Sequence, residues 1–303
     1  GDLDTAVIHW RRALDIDALF TPALHCLGVA MDHQDSLDEA LEYHRRVAQQ
    51  APGLSENHRY LAMIQTDLGH LDDALASTGR ALELAPDSAE ARWQHFFISA
   101  LRGDFPDAWD DYECRFHLQN RTTPPREFPQ PRWRGKPLAG RTLLVHAEQG
   151  LGDTIQFVRF FWGFSQFNGR VILQCQDKLQ SLLQPLTELS PIIAVVGQEE
   201  PTPAFDVWAA LMSLPYLLNI HHIDTTPNPV PYLGSIQTAE IPLSHTPAFK
   251  VGIVWAGNPS HKNDRYRSTT LQQFRRLFDI SGCQFYSLQV GEAANQIEPL
   301  LDR

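Results

Sequence analysis

The chain has 303 residues, 43% hydrophobic and 20% charged, with a net charge of −11. That is enough for two or three domains with real cores, and the acidic balance argues against general nucleic-acid binding. No stretch approaches the roughly 20 apolar residues a membrane-spanning helix needs, and the four cysteines (Cys26, Cys114, Cys175, Cys283) form no C-x-x-C pair. Reduced thiols and a cytoplasmic location are therefore expected.

The first third repeats itself. Ala6, Ala40, Ala74 and Ala108 recur every 34 residues, as do Pro52 and Pro86, and Gly69 and Gly103. A 34-residue period with small residues at fixed positions is the mark of tetratricopeptide helix pairs. Alanine belongs where two helices approach closely, glycine ends the first helix, and proline starts the next unit. Gly1 falls at the turn inside a unit, so the array is expected to begin part-way through a repeat. His25, Arg59 and Trp93 share one repeat position. They are either packing residues or the lining of a concave groove for a peptide or partner protein.

From about Leu118 to Gly140 five prolines (Pro124, Pro125, Pro129, Pro131, Pro137) interrupt any regular element. Trp133 in the same stretch predicts an ordered connector that packs on something. Beyond Gly140 the pattern alternates between strand and helix. Strands are predicted at 143–147, 171–175, 192–196 and 205–208, and helices from near Asp153, at 177–186 and at 211–218. Such alternation implies a parallel sheet with helices on both faces. Pro227, Pro229, Pro231, Pro242 and Pro247 then punctuate an irregular stretch. A strand from Phe249, a helix at 271–278, a strand at 284–289 and a final helix follow. Two strands are fewer than a free-standing domain of this type wants, so the second α/β domain is expected to be incomplete.

The turn after the first strand, Gln149-Gly150-Leu151-Gly152-Asp153, is the leading candidate site. Strand, glycine turn and helix leave backbone N–H groups free for anions and polar ligands at a strand's carboxyl end. Three readings compete. A dinucleotide fingerprint would need a third glycine where Ile155 stands. Asp153 can simply cap its helix. Asp153 can also be a general base, a role compatible with capping. After the strand from Phe249 comes a second loop, with Asn258, His261, Lys262, Asn263, Asp264, Arg265 and Arg267. Two Lys and four Arg between 250 and 276 face one acid, Asp264. The loop is either a solvated surface or a seat for a phosphate or diphosphate. A carboxylate that deprotonates an acceptor hydroxyl, opposite cations that neutralise a diphosphate leaving group, fits glycosyl transfer from a nucleotide sugar. The α/β part has no D-x-D pair and His221-His222 has no metal-site spacing, so no metal or cofactor is expected.

The runs Leu144-VHAEQGLGDTIQFVRF-Phe160, Phe205-Asp206, Ser213-Leu214-Pro215 and Val251-GIVWAGNPSHKNDRYRS-Ser268 resemble bacterial tetratricopeptide proteins with a glycosyltransferase domain. That domain is similar to the family 9 heptosyltransferases, of two-domain GT-B fold, and the overall plan resembles protein O-GlcNAc transferases. The resemblance implies that Asp153, after Gly152, is the base that activates the acceptor. It also implies that Arg267 stands where heptosyltransferases carry a phosphate-binding Lys, a fork in place of a point charge. From their residue types and loop positions, Gln149, Gly150, Gly152, Asn258, Lys262 and Arg265 are expected to join Arg267 in binding the donor phosphates. Members of the family continue into an Asp-Thr-x-x-x-His loop that grips the sugar nucleotide, and this sequence ends before one. The expected class is α plus α/β: repeats over 1–118, connector 119–140, a GT-B-like Rossmann domain 141–248, and the start of a second Rossmann domain 249–303. The alternative is a repeat scaffold carrying a degenerate enzyme.

Overall fold

The computed structural model describes residues 2–119, 126–188, 191–220, 232–233, 247–260, 264 and 267–301, the side chains of 106–107 and 300–301 aside. Lys262 and Arg265 lie outside these residues, as do His261, Asn263, His221 and His222. The chain parts into two compact units, Gly1–Ile236 and Gln237–Arg303.

The first unit opens with helices α1 (Leu3–Ile16), α2 (Thr21–His33), α3 (Leu37–Gln50), α4 (Ser55–Asp67), α5 (Leu71–Leu84), α6 (Ala89–Arg102) and α7 (Phe105–Tyr112). Starts at 3, 37, 71 and 105, and at 21, 55 and 89, step by 34 residues, so the period in the sequence is the period of the fold. Ala40, Ala74 and Ala108 are fully buried, as close helix approach requires. The prolines close each turn in the same way. Pro52 O accepts from His58 Nε2 at 2.9 Å, and Pro86 O accepts from Arg92 Nε at 3.0 Å, one repeat later.

Each first helix ends on a residue in the left-handed region. Gly69 (φ 77°) and Gly103 (φ 85°) do so without strain, but the equivalent residue of the earlier repeat is Asp35, at φ 61°. A Cβ there is unfavourable, although Asp tolerates the region better than most residues.

After α7 a 3₁₀ turn, Glu113–Phe116, ends the array. The connector is ordered from 126. Trp133 is buried, donates from Nε1 to Lys136 O at 2.7 Å, and packs against Phe164 and Phe167. Arg132 pairs with Trp208 as an added parallel bridge.

Strands β1 (Thr142–His146), β2 (Arg170–Cys175), β3 (Ile192–Gly197) and β4 (Val207–Ala210) form a parallel sheet of order β3-β2-β1-β4. β1 is buried along its whole length, which explains its unbroken apolar run. Asp206 fixes the β1–β4 register: its Oδ2 accepts from Thr142 N at 2.7 Å and its own N donates to Thr142 O. Helices α8 (Leu151–Phe157), α9 (Asp177–Leu183) and α10 (Leu214–Leu217) are short, each joined to 3₁₀ turns. One hydrophobic core runs from Trp109 and Tyr112 of α7 through the sheet to Leu218, so the last repeat shares its core with the α/β layer.

The second unit holds strands β5 (Phe249–Ile253) and β6 (Cys283–Ser287), paired in parallel. The helix expected at 271–278 is a 3₁₀ helix, Leu271–Leu277, and the last helix is a 3₁₀ turn leading into α11 (Glu298–Leu301). Helical periodicity does not distinguish these geometries over so short a span.

Two buried histidines have unusual surroundings. His44 is fully buried, stacked on Tyr60 with ring centroids 5.6 Å apart. His146, at the end of β1, lies between Phe128 and Trp208. Among the described residues neither ring has a well-aimed hydrogen-bond partner, although the Ala147 backbone favours the charged form of His146. Burial lowers both pKa values to about 4, with His25 adding to the effect at His44 and nearby arginines at His146.

Asp35→Gly should raise stability by roughly 0.5–1 kcal/mol, measured by urea denaturation, because glycine relieves the left-handed strain. For the histidines, the folded state binds fewer protons than the unfolded chain between pH 6.5 and 4. Their stabilisation is therefore present above pH 6.5 and is lost as the pH falls through that window. At pH 5 each should cost about 2 kcal/mol relative to pH 7, and His44→Leu should remove about half of the combined slope.

Candidate functional site

In a sheet of order β3-β2-β1-β4 the connections reverse direction between β1 and β4. Open α/β sheets bind ligands at such a reversal, outside the carboxyl ends of the strands. Here the two exits are the turn after His146 and the 3₁₀ turn Leu211–Ser213 after β4. The candidate residues Gln149, Gly150, Gly152 and Asp153 occupy the first of them.

The helix begins earlier than the sequence suggests. Gly150 is the N-cap, Leu151 and Gly152 are already helical, and Asp153 is the third helical residue. Asp153 is therefore not an N-cap. Its carboxylate reaches back, and Oδ2 accepts from Gly150 N at 3.0 Å, satisfying a donor at the start of the turn. Among the described residues Oδ1 accepts no hydrogen bond, and the side chain is half-buried. Gly152 is exposed, and a Cβ added there would meet nothing within 4 Å. The turn is held by Gln176, the residue after β2. Its Nε2 donates to Gln149 O at 2.7 Å, and its Oε1 accepts from Thr154 Oγ1 at 3.0 Å.

A buried ionic cluster joins the two exits. Arg115, on the turn that ends the repeat array, is 5% exposed. Its Nη2 donates to Glu148 Oε1 at 2.8 Å, beside the glycine turn, and to Ser213 Oγ at 2.7 Å, at the β4 exit. Its Nη1 donates to Glu113 Oε1 at 2.7 Å. Arg132 of the connector donates to Glu113 Oε2 and to Ser213 Oγ, and Ser213 Oγ donates to Glu113 Oε1. Phe116 lies under both guanidinium groups at 4.2 Å, and Arg115 also covers Tyr112. Burial by itself would lower the Arg115 pKa, but Glu148 and Glu113 more than offset it and the net shift is upward. Two cations and two anions thus balance.

None of these cluster residues was marked as functional by its residue type or spacing. Glu148 and Ser213 stand inside the distinctive E-Q-G-L-G-D and S-L-P runs, which was the one available signal.

In the second unit Asn258 and Arg267 are exposed on the loop after β5. Gln289 straps the loop root: its Oε1 accepts from Trp255 N and Ala256 N, and its Nε2 donates to Ala256 O. Ser268 Oγ accepts from Gly257 N and donates to Asp264 Oδ1. A Cβ on Gly257 would lie 3.4 Å from both Arg267 Nη2 and Asp264 Oδ1, so the guanidinium folds back over the loop backbone.

At the shared repeat position all three side chains touch aromatic neighbours. His25 and Arg59 both contact Tyr60, and Trp93 stacks on Tyr112 with centroids 5.6 Å apart. His25 also lines a pocket of about 410 Å³ with Thr21, Pro22, Val47, Glu56, Asn57 and Tyr60. Among the described residues no three His, Cys, Asp or Glu side chains gather to hold a metal, and no helix is long and apolar enough to cross a membrane. The four cysteines are free thiols.

No family model matches the chain. Protein FlbA of Caulobacter vibrioides is 26% identical over 275 residues, which cover 82% of this chain and 45% of FlbA, so the chain spans less than half the length of that relative. Among solved structures, MamA is 19% identical over 39% of this chain and 70% of its own, with a TM-score of 0.37. YrrB, described as a TPR protein with an unusual peptide-binding site, is 21% identical over 37% and 58%, with a TM-score of 0.34. A mutant of the Thermobaculum terrenum O-GlcNAc transferase is 21% identical over 65% of this chain and 38% of its own, with a TM-score of 0.36. At such identity and overlap the chain is similar to these proteins without sharing a demonstrated family with any of them.

Proposed function

We propose that the chain belongs to an inverting, metal-independent glycosyltransferase of GT-B type, whose repeat array recruits a protein or peptide acceptor. The observation that carries this reading is the state of the Asp153 carboxylate. One oxygen is anchored on Gly150 N, which fixes its aim, and the other accepts no hydrogen bond among the described residues. In the proposed reaction that second oxygen takes the proton of an acceptor hydroxyl. The hydroxyl oxygen attacks the anomeric carbon as the bond to the nucleoside diphosphate breaks. By charge and donor chemistry alone, the second unit's stretch with Asn258, Lys262, Arg265 and Arg267 is read as a diphosphate-binding loop. The D-x-D triplets of the chain, Asp2-Leu3-Asp4 and Asp15-Ile16-Asp17, fall at the two ends of α1 in the repeats, where Asp2 and Asp17 are its caps. The metal-independent reading rests on their distance in sequence from the α/β part.

Gly152 adds support. A glycine in a helix is about 1 kcal/mol less favourable than alanine, and no neighbour here forbids a side chain. A ligand that approaches the backbone closely would explain the glycine.

A second reading has its own observation. The Asp153–Gly150 hydrogen bond is a sufficient structural role for the carboxylate. The protein would then be a repeat scaffold with an inactive α/β part.

Sugar transfer from a panel of nucleoside-diphosphate sugars, together with calorimetry of their binding, separates the two. In the intact protein Asp153→Ala should lower the transfer rate by about 10²–10⁴-fold while donor binding persists. Gly152→Ala should keep or raise the melting temperature yet weaken binding. An unchanged rate in Asp153→Ala leaves the carboxylate only its hydrogen bond to Gly150 N, and absence of nucleotide-sugar binding supports the scaffold.

A further inference from the structure

We infer that Arg115, although it belongs to the repeat array, is a positioning residue for the Asp153 turn, so that the array forms part of the site. The inference rests on the reading of Asp153 as the reacting group, but its geometry stands apart from the reaction.

Arg115 Nη2 holds Glu148 at 2.8 Å, and Glu148 is two residues before Gly150, whose N–H aims the Asp153 carboxylate. The same nitrogen holds Ser213 at 2.7 Å, so one guanidinium sets the spacing of the β1 and β4 exits. The planar fork is itself fixed, by Glu113 on Nη1 and by the Tyr112 and Phe116 rings at 4.3 and 4.2 Å. Tyr112 donates to Met212 Sδ at 3.2 Å, and Trp109 meets Phe157 of α8 edge-on at 6.1 Å. The last repeat thus touches the helix that carries Asp153 as well as the residue that precedes its turn. Removing the charge of Glu148 should release the turn, and a small displacement of a catalytic group is expensive in rate.

The test compares Glu148→Gln, Arg115→Lys and Glu113→Gln in the intact protein. Glu148→Gln keeps the side-chain shape and is expected to fold even if Arg115 variants do not. The first readout is amide hydrogen exchange of residues 149–154 against β2 and β3. In Glu148→Gln and Arg115→Lys the turn amides should exchange about 10-fold faster while β2 and β3 keep wild-type rates. Glu113→Gln, which removes a different partner of Arg115 and leaves the Arg115–Glu148 contact in place, should loosen the turn less than Glu148→Gln does. The second readout is transfer from the nucleoside-diphosphate sugar panel, where kcat should fall about 10–100-fold with the donor KM unchanged. Turn amides at wild-type rates, equal loosening in Glu113→Gln, or loosening spread over the whole sheet would overturn the inference and leave Arg115 as domain glue. A wild-type protein that transfers no sugar would sink the proposed reaction, while the exchange rates would still decide the role of Arg115.

Discussion

One serine hydroxyl, that of Ser213, is shared by two guanidinium groups and one carboxylate, in a space almost closed to water. Charges so placed are costly to bury and are tolerated because each finds a partner. Arg115 and Arg132 face Glu113 and Glu148, so the cluster is neutral as a whole. Four segments meet there: the last turn of the repeats, the connector, the exit of β1 and the exit of β4. The cluster therefore specifies how a periodic array stops and an α/β sheet begins.

A helical repeat array has no natural end, since each unit exposes a face meant for the next. Here that face is taken by the sheet layer. Trp109 and Tyr112 of α7 lie in the same core as β1 and β4, and Trp93, Phe96 and Phe105 pack against its margin. The aromatic side chains supply the non-directional burial and the ion cluster supplies the register. The glycine turn, at the reversal point of the sheet, takes its position from both. A merely tethered adaptor would lack this shared core and these hydrogen bonds.

What the sequence makes legible follows from range. The repeats repeat one local pattern, so alanine and glycine spacing gives each helix start. β1 is buried on both faces and reads as an apolar run. The start of α8 is misjudged because Asp is favoured both as a cap and at the third helical position, and only backbone geometry separates the two. Short helices and 3₁₀ turns share a periodicity, which blurred the second unit. Two partners of Arg115, Glu148 and Ser213, are 33 and 98 residues away, and nothing in the local pattern distinguishes it from the exposed arginines of the repeats. Asp35 was hidden for another reason: a strained residue stands where glycine would have announced the turn.

The central claim is that the last repeat and the β1–β4 edge are one cooperative body held by the Arg115 cluster. Native-state hydrogen exchange under increasing denaturant tests it most directly. Amides of α6 and α7 should open together with those of β1 and β4, at one shared free energy and one shared denaturant slope. Opening of α6 and α7 at a lower free energy, with the sheet still closed, would contradict the account.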